Sequence, residues 1–214
     1  MKRIFAVLIL LCSIFPYYAK AEELKLAESA QSAILIEAST GEVLFEKNAH
    51  EKKFPASMTK MMSMLIILES IDKGIIKWDE MVTVSANASS MGGSQILLET
   101  NEQMSVSDLF KGIAVASGND AVVALAEKIA GTEDMFVDMM NKRAQELGLT
   151  NTNFKNCHGL HDANHYSSAY DISIIARELV KHEKLFEYTS IYEDYLRQNT
   201  DRKIWLVNTN KVVY

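Results

Sequence analysis

The stretch Phe54-Pro55-Ala56-Ser57-Met58-Thr59-Lys60 runs directly into the apolar segment MMSMLIIL at residues 61–68. A proline before a Ser/Thr-rich turn is typical of a helix start and Gly74 of a helix end, so we predict a helix over about 57–73. The segment is apolar around most of its circumference, which indicates burial on nearly every side. We therefore expect this helix to lie at the centre of the core.

Lys60 falls in the first turn of this helix, where the helix dipole disfavours a cation. Residues three apart share a helix face, so the side chains of Ser57 and Lys60 should meet. Burial and the helix end both favour a neutral amine, which can take a proton from a serine hydroxyl. We interpret the pair as a nucleophile and its general base. The alternative is that Ser57 only caps the helix and Lys60 is solvated.

The N-terminus is typical of a secretory signal peptide. Two cations precede an apolar run over 4–15, and Ala19-Lys20-Ala21 is a small-x-small cleavage site. We predict a signal peptide at 1–21 and a catalytic domain at 22–214. No later segment is long and apolar enough to span a bilayer, so we expect an exported protein without a membrane anchor in this chain.

Charge and cysteine content narrow the functional classes. Loss of residues 1–21 removes three cations and no acids, which moves the formal net charge from -6 to -9 and argues against a nucleic-acid partner. Cys12 is a poor lipoprotein site because bulky Leu11 precedes it. Cys157 then remains alone, so no intrachain disulfide can form and stability must come from the core.

The remaining pattern predicts an α+β domain. Two short apolar runs, 33–36 and 43–45, flank a glycine-containing turn and predict a β-hairpin that packs on the helix beginning at Ser57. Loops and small strands are expected over 74–105, with Gly92-Gly93 marking a close approach of the backbone. No internal repeat or linker marks a second domain.

Further helices are predicted over about 105–116, 121–130, 132–148 and 171–182. Thr132 is expected to cap the third of these. Its apolar face is predicted to comprise Met135, Phe136, Met139, Met140, Ala144 and Leu147, a set typical of core packing rather than of a metal or cofactor site.

A second motif, Ser117-Gly118-Asn119, lies in the short break between two predicted helices. A polar tripeptide held between buried helices suits a catalytic serine and an amide that binds substrate. It follows Ser57-Met58-Thr59-Lys60 by about sixty residues. These are two of the three motifs, in the correct order, of penicillin-binding proteins and serine β-lactamases.

The chain resembles the N-terminal part of a low-molecular-mass penicillin-binding protein, a serine-type D-alanyl-D-alanine carboxypeptidase of peptidase family S11. Besides the two motifs, His158-Gly159-Leu160 and Ser167-Ser168-Ala169-Tyr170-Asp171 carry the resemblance. It implies a penicillin-binding protein / serine β-lactamase-like fold, in which a helical cluster packs on an antiparallel sheet.

The resemblance also implies roles for four residues. Ser57 would be the acylated nucleophile, Lys60 its general base, Ser117 a proton relay toward the leaving D-alanine, and Asn119 the group that holds the substrate's amide. The backbone N–H of Ser57 would contribute to the oxyanion hole. The implied substrate is a peptidoglycan stem peptide ending in D-Ala-D-Ala, cleaved at the cell wall or the outer face of the cytoplasmic membrane. β-Lactams would inhibit, and no metal or organic cofactor would be needed.

One departure concerns the family's third motif, Lys-Thr-Gly, which the sequence lacks and which Lys211-Val212-Val213 does not replace. By resemblance, we expect the chain to stop shortly before the strand that carries this motif. The predicted fold is then incomplete because its C-terminal strands are missing. An alternative is a non-catalytic truncated remnant that only binds peptidoglycan.

Two other hydrolase classes are less consistent with the sequence. A class A β-lactamase usually carries Ser-Asp-Asn and a downstream glutamate, whereas here the second motif is Ser-Gly-Asn and no Glu-x-x-Leu-Asn follows. A metal site built from His158, His161, Asp162 and His165 lacks the helical H-E-x-x-H spacing, so these are expected to be ordinary loop residues.

Cys157 is expected to be a semi-buried thiol rather than a nucleophile.

Overall fold

The computed structural model describes residues 26–213. The chain divides into two compact units, 1–30 and 31–214, and the description below concerns the second. The predicted signal peptide at 1–21 lies outside the described residues. Within residues 26–213, no helix is long and apolar enough to span a membrane.

Helices supply most of the regular structure. A 3₁₀ turn, Ala56–Thr59, leads into the central helix. The helices in chain order are α1 (Lys60–Asp72), α2 (Ala86–Ser89), α3 (Val106–Ala116), α4 (Asn119–Ala130), α5 (Glu133–Glu146), α6 (Ala169–Leu179) and α7 (Lys184–Thr189).

The strands form three separate antiparallel pairs among the described residues. β1 (Ala33–Ile36) pairs with β2 (Val43–Lys47), β3 (Met81–Thr83) with β4 (Gln103–Ser105), and β5 (Glu193–Leu196) with β6 (Ile204–Val207). The N-terminal hairpin was predicted correctly. Its predicted support was wrong, because β1 packs on α6, which itself packs on α1.

The predicted burial of α1 is confirmed. Met62, Leu65, Ile67 and Leu68 are each at most 2% exposed. The helix packs against α4, α5 and α6, which together bury most of its surface. Along α4, the first eight residues are all buried. The two helices form the centre of an α+β core, as the sequence pattern predicts.

The predicted cap of α5 is confirmed, whereas two details of the predicted helices differ from the structure. The Thr132 hydroxyl accepts a hydrogen bond from the backbone N–H of Met135, which confirms the predicted cap of α5. However, Met135 is 57% exposed. The buried stripe of α5 follows Phe136, Met140 and Ala144 at intervals of four, and Met135 is rotated from it by about 100°. Val180, which falls inside the helix predicted over 171–182, lies just beyond the end of α6 and is exposed.

The β5–β6 hairpin was not assigned from the sequence. Its strands alternate, with Leu196 and Leu206 buried and Tyr195 and Trp205 exposed. β6 packs against α3. This position places the connection between β5 and β6 beside the loop that follows α2, where Arg197 reaches the backbone oxygen of Ile96.

Candidate active site

Ser57 and Lys60 meet as the sequence predicts. Ser57 is exposed on the 3₁₀ turn, whereas Lys60 is the first residue of α1 and only 2% exposed. The Lys60 Nζ lies 3.3 Å from the Ser57 Oγ and donates a hydrogen bond of 2.7 Å to the backbone oxygen of His158. The N-cap of α1 is Thr59, so Ser57 does not cap this helix.

Burial lowers the pKa of Lys60 from 10.5 to about 8. Removing the ammonium from water favours the uncharged form, and the surrounding groups do not fully offset this cost. Because pH 7 lies about one unit below this pKa, about a tenth of the Lys60 side chains are neutral at pH 7. A neutral amine can keep its hydrogen bond to the His158 oxygen while its lone pair accepts a proton from Ser57.

The turn that carries Ser57 is fixed by a neighbouring loop. Ala56 has a positive φ of 47°. Gly159 packs directly on it, since a Cβ at Gly159 would lie 2.0 Å from the backbone oxygen of Ala56. A side chain at position 159 would therefore displace the turn. This explains why a glycine is needed in the middle of His158-Gly159-Leu160.

His165 holds the other side of this turn. Its Nδ1 accepts a hydrogen bond from the backbone N–H of Lys155, so its Nε2 carries the proton and donates to the Thr59 hydroxyl over 2.7 Å. Burial lowers the pKa of His165 to about 4. The ring is therefore neutral at pH 7, as this pair of hydrogen bonds requires.

The loop at 157–160 is held by α1 and α5. Ser63 donates to the backbone oxygen of Cys157 over 2.6 Å, and the Glu133 carboxylate accepts the Cys157 N–H over 3.1 Å. The same carboxylate lies 3.4 Å from the His158 Nε2. Ser63 and Glu133 were not singled out from the sequence, because they act on the backbone of a distant loop and belong to no motif.

The second motif forms the corner between α3 and α4. Ser117 ends α3 in a left-handed conformation, φ 58°, and Asn119 is the first residue of α4. The Asn119 Nδ2 donates to the backbone oxygen of Gly92 over 2.7 Å. Its Oδ1 is buried and has no hydrogen-bond partner among the described residues. A buried amide oxygen with no partner is costly, and a ligand N–H could satisfy it.

Gly93 and Leu160 connect the two motifs in space. A Cβ at Gly93, whose φ is +80°, would lie 2.8 Å from the Asn119 Nδ2 and 3.6 Å from Cδ2 of Leu160. Leu160 follows the residues that contact Lys60 and Ala56. The loop at 158–160 therefore extends from the Ser57 turn to Asn119. The predicted close approach at Gly92-Gly93 is an approach to this asparagine.

The remaining candidate residues have contacts of their own. In the part of the chain that the structure describes, no group of three or more His, Cys, Asp or Glu could hold a metal ion. The His161 ring packs against Phe54 in a tilted arrangement, with ring centroids 4.6 Å apart. Cys157 is fully buried rather than semi-buried, and this burial raises the pKa of its thiol well above the usual value.

The family described as D-alanyl-D-alanine carboxypeptidase, peptidase family S11, matches residues 19–214. D-alanyl-D-alanine carboxypeptidase DacF of Bacillus subtilis is 58% identical over 189 residues, which cover 88% of this chain and 49% of that protein. DacA of Escherichia coli is 36% identical over 228 residues, which cover 100% of this chain and 55% of that protein. The chain thus spans about half the length of the curated relatives it matches.

Solved structures agree with the sequence matches. Penicillin binding protein 6B from Escherichia coli superposes with a TM-score of 0.80 at 35% identity, covering 86% of this chain and 59% of that one. Penicillin binding protein 5 from Haemophilus influenzae gives a TM-score of 0.78 at 37% identity, covering 84% and 52%. These likenesses confirm the predicted fold class.

Proposed function

Because this chain belongs to the D-alanyl-D-alanine carboxypeptidase family, peptidase family S11, we propose that it provides the acylating part of a penicillin-sensitive serine carboxypeptidase. The observation that carries the proposal is the contact between a buried Lys60 amine of lowered pKa and the exposed Ser57 hydroxyl. A nucleophile with an adjacent base of pKa near neutrality is the arrangement that covalent catalysis requires.

In the proposed reaction, the neutral Lys60 amine takes the Ser57 hydroxyl proton while Oγ attacks the carbonyl carbon of the penultimate D-alanine. The oxyanion that forms accepts a hydrogen bond from the backbone N–H of Ser57, since N–H groups at a helix start lack an intrahelical acceptor. The C–N bond then breaks. The proton passes from Lys60 by way of Ser117 to the amine of the terminal D-alanine, which leaves.

Water then resolves the acyl ester on Ser57. The neutral Lys60 amine takes a proton from the water while the water oxygen attacks the ester carbonyl; the C–Oγ bond breaks, Lys60 returns the proton to the Ser57 Oγ, and the shortened peptide leaves as a carboxylic acid. Splitting the amide cleavage in this way replaces one difficult step with two easier ones. Every step uses side chains and backbone groups of this chain and water. No metal or organic cofactor takes part in the proposed sequence.

Asn119 is proposed to orient the substrate. Its Nδ2 is already used by the Gly92 oxygen, which directs Oδ1 as an acceptor for an N–H of the stem peptide or of a β-lactam side chain. Binding at this oxygen would remove the cost of a buried unpartnered acceptor, which amounts to about 1–3 kcal/mol. Export to the cell wall, where stem peptides ending in D-Ala-D-Ala occur, is part of the same proposal.

The test is the intact mass of the purified chain after incubation with benzylpenicillin. We expect a covalent adduct on the wild-type chain and none on Ser57→Ala. Ser90→Ala, which removes another exposed serine hydroxyl, should keep the adduct. A wild-type chain that is folded by circular dichroism but forms no adduct would overturn the proposed acylation.

A further inference from the structure

The loop at 92–98 supplies both backbone acceptors that Asn119 uses. The Asn119 N–H donates to the backbone oxygen of Ser94 over 2.7 Å, and the side-chain amide donates to that of Gly92. The orientation of the Asn119 side chain is therefore coupled to the position of this loop. The contacts that hold the loop at 92–98 therefore help to position Asn119.

One side of the loop is held by α4. The Asp120 carboxylate, 1% exposed, accepts the backbone N–H groups of Ile96 and Leu98 at 3.0–3.1 Å. These bonds replace the ladder that a strand would provide, because residues 95–99 have no regular secondary structure. Hydrogen bonds to a charged acceptor are worth more than neutral ones.

The other side is held by the connection between β5 and β6. Arg197, whose side chain is 7% exposed, donates to the backbone oxygens of Ile96 over 3.0 Å and Leu97 over 3.3 Å. Arg202 adds a bond of 2.8 Å to the Leu97 oxygen. The Glu102 carboxylate accepts from both guanidinium groups and so fixes their orientation.

The loop needs this support because its backbone is strained. Leu97 has φ +55° and is 60% exposed, so its side chain contributes little packing to hold it there. A left-handed conformation costs a residue with a Cβ roughly 1–2 kcal/mol. Such a conformation persists only where surrounding contacts determine it, and here the contacts come from Asp120 on one side and the two arginines on the other.

We propose that Arg197 is a positioning residue for the Asn119 subsite. It acts through the carbonyls of Ile96 and Leu97 to keep the loop at 92–98 against α4, so the β5–β6 hairpin controls where Asn119 binds substrate. The inference rests on the proposed function, since it assigns Asn119 the role of holding the substrate's amide. Within residues 26–213, the hydrogen bonds of the Arg197 guanidinium go to Glu102 and to the oxygens of Ile96 and Leu97, not to Ser57 or Lys60.

The first test does not depend on activity. We expect Arg197→Ala to shift the NMR resonances of the Asn119 side-chain amide and to speed hydrogen exchange at Ile96 and Leu98. Arg177 is the matched control, because its guanidinium also binds two loop carbonyls, those of Ala38 and Ser39, in the N-terminal hairpin. Arg177→Ala should leave both readouts unchanged. An unchanged Asn119 amide and unchanged exchange in Arg197→Ala would overturn the proposal.

A second variant covers the case in which Arg197→Ala fails to fold. Arg197→Lys keeps a cation for Glu102, but a single ammonium nitrogen does not reproduce the planar fork with which Arg197 reaches Glu102, the Ile96 oxygen and the Leu97 oxygen from three separate nitrogens. We expect a smaller shift of the Asn119 amide than alanine would give. A lysine variant with faster exchange at Ile96 and Leu98 but an unmoved Asn119 amide would contradict the link to the subsite.

The catalytic test is a double-mutant cycle on the rate of acylation by benzylpenicillin. A small misplacement of a binding group costs about tenfold to a hundredfold in rate, so we expect Arg197→Ala to slow acylation by at least tenfold. In an Asn119→Ala background the same change should cost less than about twofold, because the two residues act through one contact. Equal losses in both backgrounds would refute the route through Asn119. If the wild-type chain is not acylated, the proposed function fails, and the NMR comparison still decides the positioning role.

Discussion

At the scale of single residues, Lys60 shows how burial can make a lysine amine neutral near pH 7. It must be neutral to act as a base, yet lysine is normally charged at pH 7. Burial lowers its pKa by the free energy needed to remove the ammonium from water, and each pKa unit corresponds to about 1.4 kcal/mol. The carbonyl of His158 remains available as an acceptor for both forms of the amine.

Acylation by benzylpenicillin should therefore rise with pH and level off above about pH 8, the pKa of Lys60. Below that value the rate should fall about tenfold per pH unit, since only the neutral amine accepts the Ser57 proton. Lys60→Arg should acylate at least about a hundredfold more slowly with no such dependence, because a guanidinium stays protonated. Stopped-flow rates from pH 6 to 10 would check this. A flat wild-type profile would contradict the role of Lys60 as base.

At the scale of elements, the site is assembled where helix starts meet loops. Ser57 and Lys60 come from the entry into α1, and Ser117 and Asn119 from the corner between α3 and α4. The helices provide rigid ends, and the loops at 92–98 and 157–160 determine how those ends face each other.

Gly93→Ala tests the contact between loop and helix. Gly93 and Gly148 both have positive φ, +80° and +72°, so the backbone strain of an alanine at either site should cost a similar amount of stability, about 1 kcal/mol. A Cβ at Gly93 meets the Asn119 amide at 2.8 Å, whereas one at Gly148 meets nothing within 4 Å. We expect acylation to fall about tenfold in Gly93→Ala alone. Equal acylation rates in the two variants, measured at matched folded fraction, would argue against the Asn119 subsite.

The helices illustrate what periodicity can and cannot predict. The Thr132 cap of α5 and the burial of α1 on nearly every side follow from local pattern, and both are confirmed. The exposure of Met135 was missed because an apolar residue near a helix start fits either edge of the stripe, and only the neighbouring helices decide which edge is covered. The β5–β6 hairpin was missed because its outward face carries Tyr195 and Trp205, which weakens the polar alternation of an exposed strand.

At the scale of the whole molecule, protonation of buried histidine should couple pH to stability. The pKa of His165 is lowered by burial to about 4, below the 6.5 of an unfolded chain. Between these values the unfolded state binds more protons than the folded state, so stability rises with pH across this window. The ring donates a hydrogen bond to Thr59 in the turn that carries Ser57. Protonation of His165 should therefore disturb this turn as well as destabilise the core.

Urea unfolding from pH 7 to 4 would measure this effect. The wild-type free energy of unfolding should decrease as pH falls from 6.5 toward 4, and His165→Gln should show a shallower slope in that range. His161→Gln removes an exposed histidine from the same loop and should keep the wild-type slope. Identical slopes in the wild-type chain and His165→Gln would mean that His165 is not the coupled group.

The sequence by itself determined the local features of this protein. The helical turn that carries Ser57 into α1, the pairing of Ser57 with Lys60 three residues on, and the polar corner at Ser117-Gly118-Asn119 all follow from residues within a few positions of each other. Helix geometry fixes such neighbours, so pattern alone can predict them. The family resemblance added expected roles for four side chains.

The tertiary structure alone decided which distant groups complete the site. The Lys60 amine is held by a carbonyl 98 residues away, the Asn119 amide by one 27 residues away, and the loop at 92–98 by an arginine about 100 residues further along. Backbone carbonyls are the same in every residue, so no residue type in the sequence identifies them. They acquire a role only when packing brings a particular peptide group within hydrogen-bonding distance.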